Sequence, residues 1–353
     1  MSSSHAVPLI HITDLYHPAQ DPDDQFDLAT AVALPELELK AVLFDVTRKF
    51  LVAAPEGWDV ERQPGEAIVA GVETLTGRAI PRAVGPRDPL GSMTDDASDR
   101  PESEQGAIAL LLQVLAESSE PVAISIVGSV RILAAAVLRA PEMVRERVSA
   151  VWVNAGSTTH GELEWNVMLD PMAFRILWGS GLSIHWFPCA TEAGAFDPEP
   201  ERGTHWSATH AELLRDVSPS WRGWFGYGLS GSAREDLPEA MADLRGGEVW
   251  EKLDVERRSM WSTASLAMAA GRVLAQTPSG WRFAAERAAH EADWEQWPWR
   301  LDAISAQPRP DAHVEWATTE PPSRHQLFGR KAGRGYGRAM TEALNALLVS
   351  ELP

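Results

Sequence analysis

The chain has 353 residues, of which 50 are acidic and 31 basic, for a formal charge of -19 with a 44% apolar share. That length accommodates one large α/β domain or two ordinary ones, with a sizeable core. The acidic balance argues against a nucleic-acid or anionic-membrane surface, which needs a basic face, and suits a small neutral or cationic ligand or a metal.

The opening run Val7-Pro8-Leu9-Ile10-His11-Ile12 reads as a short buried strand, and Phe26 to Leu34 reads as a helix. Between them lie Asp14, Asp21, Asp23 and Asp24. In open α/β sheets such a strand-to-helix turn sits at the carboxyl edge of the strands, where ligands bind. At ~6 Å and an effective dielectric of ~20, each ionised pair repels by roughly 2.8 kcal/mol, so the cluster needs a cation, a shared proton or open solvent. The plainer alternative for Asp21 or Asp23 alone is a helix cap.

Leu37 to Phe44 is a second strand after the Pro35-Glu36 turn, which gives a β-α-β start. Pro81 to Gly106, rich in Pro, Gly, Asp and Ser, reads as a long surface loop of the kind that closes over a site, and Ala107 to Ala116 as a helix. There follow a strand at Pro121–Val127, a helix at Ile132–Leu138, a strand at Val148–Val153, a helix at Pro171–Trp178 and a strand at Leu182–Phe187. This alternation predicts a mostly parallel central sheet with helices on both faces, a Rossmann-like α/β fold in one domain spanning 1–353. Asp197 to Asp236 reads as irregular; its Trp206, Trp221, Trp224 and Tyr227 either wall a pocket or serve packing or a subunit interface, and the second reading is preferred. The segment Gly329 to Arg338, glycine-rich and basic, is either a phosphate cradle ahead of a helix at Ala339–Leu348 or a solvated loop.

The one cysteine, Cys189, has no internal disulfide partner and reads as a small buried hydrophobe. Met1 to His5 contains no basic segment leading into a long apolar one, and the longest unbroken apolar stretch, Ile132 to Leu138, is far short of a membrane span. The expectation is a soluble, cytoplasmic protein.

Two motifs carry a resemblance to a known family. Asp14 followed by Asp23-Asp24 is similar to the opening Asp-rich signature of the inosine/uridine-preferring nucleoside hydrolases, with a longer turn, Leu15 to Pro22, between them. Glu164-Trp165-Asn166, followed by Asp170-Pro171, matches the family's Glu-Phe-Asn and Asp-Pro at the family's spacing. Pro35 to Val42 looks like the second strand, and Val127-Gly128-Ser129-Val130-Arg131 stands at the Gly-Pro-Leu-Thr turn. The resemblance covers roughly residues 8 to 275 and identifies a divergent member.

It implies a hydrolase that splits the N-glycosidic bond of a ribonucleoside or related ribosylated compound, purine or pyrimidine, into free base and ribose. Calcium would be the cofactor, with Asp14, Asp24, the Arg131 carbonyl and Ser262 at the metal positions and Asp14 as the base that activates water. Asp23, Glu164 and Asn166 would hold ribose hydroxyls, Asn154 stands near the place of a Met under the sugar, and Trp261 would stack on the base. A homodimer or homotetramer is the family habit.

The departures matter as much. Met260-Trp261-Ser262 stands where the family has His-Asp at a helix start, so a neutral hydroxyl replaces a metal carboxylate and an indole replaces a proton donor. Candidate replacement acids are His17, His160, His185, His205 and His210. The main rival is therefore a ribose- or nucleoside-binding protein without turnover. A third reading is a metal-free hydrolase in which Arg131 supplies positive charge beside Asp14 and Asp24.

Overall fold

The computed structural model describes residues 6–19, 21, 23–47 and 65–352; Met1 to His5 lie outside these, as do Gln20 and Pro22 of the first turn. The chain enters through strand β1 (Val7–Thr13), helix α1 (Asp23–Ala33) and strand β2 (Leu37–Phe44). Next come α2 (Glu66–Thr76), β3 (Arg82–Val84), α3 (Gly106–Glu117), β4 (Val122–Ile126), α4 (Arg131–Arg139), α5 (Pro141–Arg147) and β5 (Val148–Asn154). The short α6 (Trp165–Leu169) and α7 (Pro171–Gly179) lead to β6 (Ile184–Phe187).

The central sheet has nine strands. From one edge inward its order is 3-2-1-4-5-6, and all of these neighbours are parallel. The strand order reverses between β1 and β4, so their carboxyl ends flank the crevice where such sheets bind ligands. Pleating sends alternate residues of β1 to opposite faces: Leu9 joins one apolar core, Ile10 and Ile12 the other. Helices on both faces therefore follow from strands that are apolar on both sides.

The second half contains more regular structure than its composition suggests. Asp197 to Asp236, expected to be irregular, forms β7 (Trp206–Thr209), α8 (His210–Leu213) and α9 (Pro219–Leu229). Three glycines inside α9 read as helix breakers, yet each is a point of close approach. A Cβ at Gly223 would lie 2.0 Å from the Met241 carbonyl oxygen, at Gly226 2.4 Å from that of Leu244, and at Gly228 2.3 Å from Gln25 Oε1. Trp206, Trp221, Trp224 and Tyr227 are buried in the core and none lines the cavity described below.

Helices α10 (Leu237–Asp243) and α11 (Glu248–Leu253), strand β8 (Arg257–Met260) and helix α12 (Thr263–Ala269) return the chain to the carboxyl edge. A small sheet of β9 (Arg272–Thr277), β10 (Gly280–Ala285) and β11 (Glu295–Gln296) follows, with α13 (Glu286–Glu291) between its last two strands. Strands β12 (Trp299–Pro308), β13 (Val314–Thr318) and β14 (His325–Arg330) then extend the central sheet, β14 parallel to β6 and β12 antiparallel to both β14 and β13. Helix α14 (Gly335–Glu351) closes the chain.

Two expectations change. The Pro81–Gly106 segment is pinned rather than free to close: its Leu90 amide donates to Asp170 at 2.9 Å, its Pro86 carbonyl accepts from Arg131 at 2.8 Å, and none of its residues lines the cavity. The Gly329–Arg338 segment does follow a strand, but Arg330 is buried, with its guanidinium over the Tyr336 ring and its Nε donating to the Gly203 carbonyl. Arg334 pairs with Glu199. Arg330 is thus committed to packing, which removes the strongest cation from the proposed phosphate cradle. Among the described residues, no helix is long and apolar enough to cross a membrane.

Candidate functional site

A cavity of about 660 Å³ opens at the carboxyl ends of β1 and β4. Asp14, Asp21, Asp23, Asp24 and Asp27 line it, with Glu164 and Asn166 on one wall and Trp261 and Ser262 on another. With Glu162 and Glu192, eight acidic residues among those described line one space.

Asp14 follows the last residue of β1, and the glycine at the end of β4 makes room for it. A Cβ on Gly128 would lie 3.1 Å from Asp14 Oδ1 and 3.0 Å from Asp45 Oδ2. Asp24, at the start of α1, accepts a hydrogen bond from Thr13 Oγ1 at 2.9 Å, and that hydroxyl also accepts from the Leu15 amide, so the turn is held from both sides. Burial, followed by neighbouring carboxylates, pushes Asp14, Asp23 and Asp24 well above the usual carboxylate range; for Asp14 the chief neighbour is Asp45, for Asp23 it is Asp21, and for Asp24 it is Asp14.

Asp27 sits one helical turn beyond Asp23. Burial raises its carboxyl to about 8. The Ser262 hydroxyl opposes that rise without meeting hydrogen-bond geometry, and both Asp27 oxygens are buried without a partner.

Glu164 caps α6 with one carboxylate oxygen on the Asn166 amide and the other on the Val167 and Gly156 amides, at 3.1, 3.3 and 2.7 Å. Burial outweighs these three donors and lifts it to about 7. Asn166 donates through Nδ2 to the Val127 and Asn154 carbonyls, an arrangement that turns its oxygen toward the cavity. Asn154 itself lies behind this wall, with its Nδ2 on the Ile126 carbonyl and Ser265 Oγ.

Arg131 is not brought to the cavity. It is the first residue of α4 and fully buried, and its Nε donates to Asp170 at 2.9 Å. Its other nitrogens hold the Val46, Pro86 and Leu169 carbonyls. Asp45, 3.8 Å from Arg131, accepts from the Ser129 amide and hydroxyl and stands between the guanidinium and Asp14. The Asp-Pro end of the Glu164 motif is therefore a structural anchor: Asp170 caps α7, holds Leu90 and pairs with Arg131. The guanidinium that the metal-free reading needs is spent there.

Trp261 donates its indole N–H to the Ala195 carbonyl, and its ring lies 5.4 Å from Phe196 and 5.1 Å from His205. Phe196 is 68% exposed and lines the same cavity, so two aromatic rings edge its mouth. Of the five candidate acids, His160 alone lines the cavity, stacked 5.4 Å from His313. His17 is bonded to the Ser232 carbonyl, His185 packs edge-on to Trp152, His205 bonds Ser259 behind Trp261, and His210 bonds the Leu253 carbonyl. Cys189 is buried against the cavity, its thiol pushed up by burial.

Sequence reasoning missed Asp27, Asp45, Phe196 and Tyr16, whose hydroxyl accepts from the Thr47 amide at the cavity wall. For Asp27 a signal existed: it falls four residues after Asp23 and three after Asp24, on one helical face.

Hard oxygen donors, two of them orphaned on Asp27, fit calcium in chemistry. Among the described residues, however, no group of three or more His, Cys, Asp or Glu side chains is arranged so that it could hold a metal ion.

A carboxylate-floored cavity at the switch point of a 3-2-1-4-5-6 sheet defines an α/β protein of the nucleoside hydrolase fold, and comparison with known proteins agrees. The inosine-uridine preferring nucleoside hydrolase of Bacillus anthracis superimposes with a TM-score of 0.52 at 12% identity, covering 97% of this chain and 99% of that one. The purine-preferring ribonucleoside hydrolase of Gardnerella vaginalis gives 0.54 at 16% identity, again over 97% and 99%. In sequence, the chain is 28% identical over 200 residues to the pyrimidine-specific ribonucleoside hydrolase RihA of Enterobacter sp. (strain 638), a match that takes in 51% of this chain and 58% of that relative. No family model matches the chain. The chain thus shares its fold with nucleoside hydrolases of known structure and is similar, over about half its length, to a ribonucleoside hydrolase of which it spans less than two thirds.

Proposed function

We propose that the protein hydrolyses the N-glycosidic bond of a ribonucleoside or related ribosylated compound, releasing free base and ribose. The observation that carries this reading is the meeting of Asp14, Asp23 and Asp24 with Glu164 and Asn166 around one cavity whose mouth is edged by Trp261 and Phe196. Carboxylates suit the positive charge that builds on the ribose ring as the C–N bond breaks, and flat aromatic rings suit a base.

In this reading Asp14 takes the proton of the attacking water, whose oxygen bonds to C1′ as the base leaves with the bonding pair. Asp23, Glu164 and Asn166 hold ribose hydroxyls. His160, at the cavity wall, is positioned to return a proton to the departing base nitrogen. Asp14 and Asp24, with Ser262, are the residues that would hold a calcium ion in this reading. Calcium, if held there, would supply charge that makes a water easier to deprotonate. Asn154 supports the sugar site from behind, through Asn166. The single cysteine supports a reducing, cytoplasmic setting, and the family resemblance supports a homodimer or homotetramer.

The test is ribose release from purine and pyrimidine nucleosides and their 5′-monophosphates, read as reducing sugar with calcium and with chelator. Calcium-dependent release is expected, and Asp14→Asn should lower kcat by about 10²–10⁴. No release from any compound, with binding of nucleoside retained, would instead establish the binding protein without turnover.

A further inference from the structure

The charge of the cavity is one-sided. Eight acidic residues line it, and among the described residues no lysine or arginine does. Glu162 and Glu192 stand exposed on its rim, and among the described residues neither is joined to a basic side chain. The arginines behind the floor are turned to other partners: Arg131 donates to Asp170, and Arg258, whose charge reaches Asp23, donates to the His210 ring. A 5′-phosphate entering here would meet carboxylates and no counter-charge from these residues. A positive ligand would instead relieve the repulsion that neighbouring carboxylates exert on one another.

The aromatic rim has the same preference. Phe196 is largely exposed, and its ring meets that of Trp261 edge to face, at 5.4 Å and 72°. The Ala195 carbonyl fixes the indole from behind. Aromatic faces carry partial negative charge, so this pair attracts a flat cation more than a neutral base of the same shape. Proton supply points the same way. His160 is the one histidine among the described lining residues, and a base that departs as a neutral molecule asks no proton of it.

We propose that the substrate is a ribonucleoside whose base carries a fixed positive charge at the glycosidic ring, such as an N-ribosylpyridinium, and that it carries no phosphate. The proposal rests on reading the cavity as an N-glycosidase site. The water oxygen bonds to C1′ and one of its protons passes to Asp14 as the C1′–N bond breaks. The bonding pair stays on the ring nitrogen and cancels its charge, so the products are ribose, neutral base and one proton. In the transition state positive charge moves from the base toward the ribose ring, where Asp14, Asp23 and Glu164 line the cavity, and the acidic floor therefore also favours that step.

The experiment compares ribose release from 1-ribosylnicotinamide, which is a cation, from its 5′-monophosphate and from neutral uridine, each rate divided by the uncatalysed one because the cation is intrinsically more labile. KM for the cation should lie on the order of 10-fold below that for uridine, and the monophosphate should react about 10-fold more slowly than the cationic nucleoside. Phe196→Ala, and Glu162→Gln combined with Glu192→Gln, alter exposed side chains, and thermal melting checks that both variants fold. Each should narrow the KM ratio between cation and uridine several-fold. Equal KM values, a preference for uridine, a ratio that neither variant moves, or a monophosphate split as fast as its nucleoside overturns the substrate assignment and leaves the hydrolase standing. Tighter binding of the cation than of uridine by isothermal titration, with no ribose released from either, sustains cation recognition and defeats the hydrolase. No release and no binding of the cation defeats both.

Discussion

Arg131 shows that a side chain can do work that its place in a motif does not announce. Its position matches a main-chain carbonyl donor, and its side chain is in addition a buried clamp on three backbone carbonyls and one carboxylate. The guanidinium satisfies the Val46, Pro86 and Leu169 carbonyls and Asp170 at once, which only a planar fork of donors can do. Removing it leaves the Asp170 carboxylate in the core without its counter-charge, held only by the Leu90 and Ala173 amides. Arg131→Ala should therefore cost about 3–5 kcal/mol of stability by urea unfolding, as breaking a buried pair from one side does. Arg131→Lys should recover only part of this, because an ammonium cannot serve the same fork. A loss below about 1 kcal/mol would mean that the clamp is dispensable.

At the scale of elements, α9 packs where its glycines are. Gly223 meets the Met241 backbone so closely that no side chain fits between α9 and α10. Gly223→Ala should destabilise by about 1–3 kcal/mol, the range for overpacking a close contact, without changing the KM of any substrate the cavity takes. The same helix marks the limit of sequence reading. Strands β1, β2 and β5 were legible within a residue because each is mostly apolar and buried, with polar interruptions only at single positions such as Glu38 and Lys40 in β2 and Ser149 in β5. Helix α9 was not, because glycine that permits contact and glycine that breaks a helix look alike in a sequence. Strands β12 and β13 were not read either; they are the half-exposed edge of the sheet, where pattern is weakest.

The cavity divides the same way. Asp14, Asp23, Asp24, Glu164, Asn166, Trp261 and Ser262 were named from motifs, and all line it. Arg131 and Asn154 lie behind it, since a motif position specifies the backbone path and not where the side chain goes. Asp27 escaped notice because a lone aspartate inside a helix ordinarily faces water.

For the whole molecule, the concentration of raised carboxyl groups in one cavity sets how stability depends on pH. A carboxyl whose folded-state pKa exceeds its unfolded value of about 4 binds its proton more tightly in the native chain, so its stabilising contribution is complete below that value and lost as pH rises through the folded pKa. Here that loss runs through about 6 for Asp45, about 7 for Glu164 and about 8 for Asp27, with Asp14, Asp23 and Asp24 shifted the same way. Surface carboxylates such as Asp95 are held below their usual range by partners, Asp95 by the Gly91 and Ala97 amides and Arg100, and act in the opposite sense only in more acidic solution. The chain's net charge of -19 adds self-repulsion at the alkaline end. In chelator, Tm should therefore be highest near about pH 5 and fall steadily toward about pH 8. If the proposed calcium-dependent reading holds, added calcium should act mainly at that alkaline end, because a cation favours ionised carboxylates, and Tm should rise there with calcium concentration as mass action requires. Scanning calorimetry at several pH values, with and without calcium, reads both slopes in one series. A Tm that is flat or rising between those pH values in chelator would mean that these carboxylates are well solvated in the native protein, and that the cavity is not the strained acidic site described above.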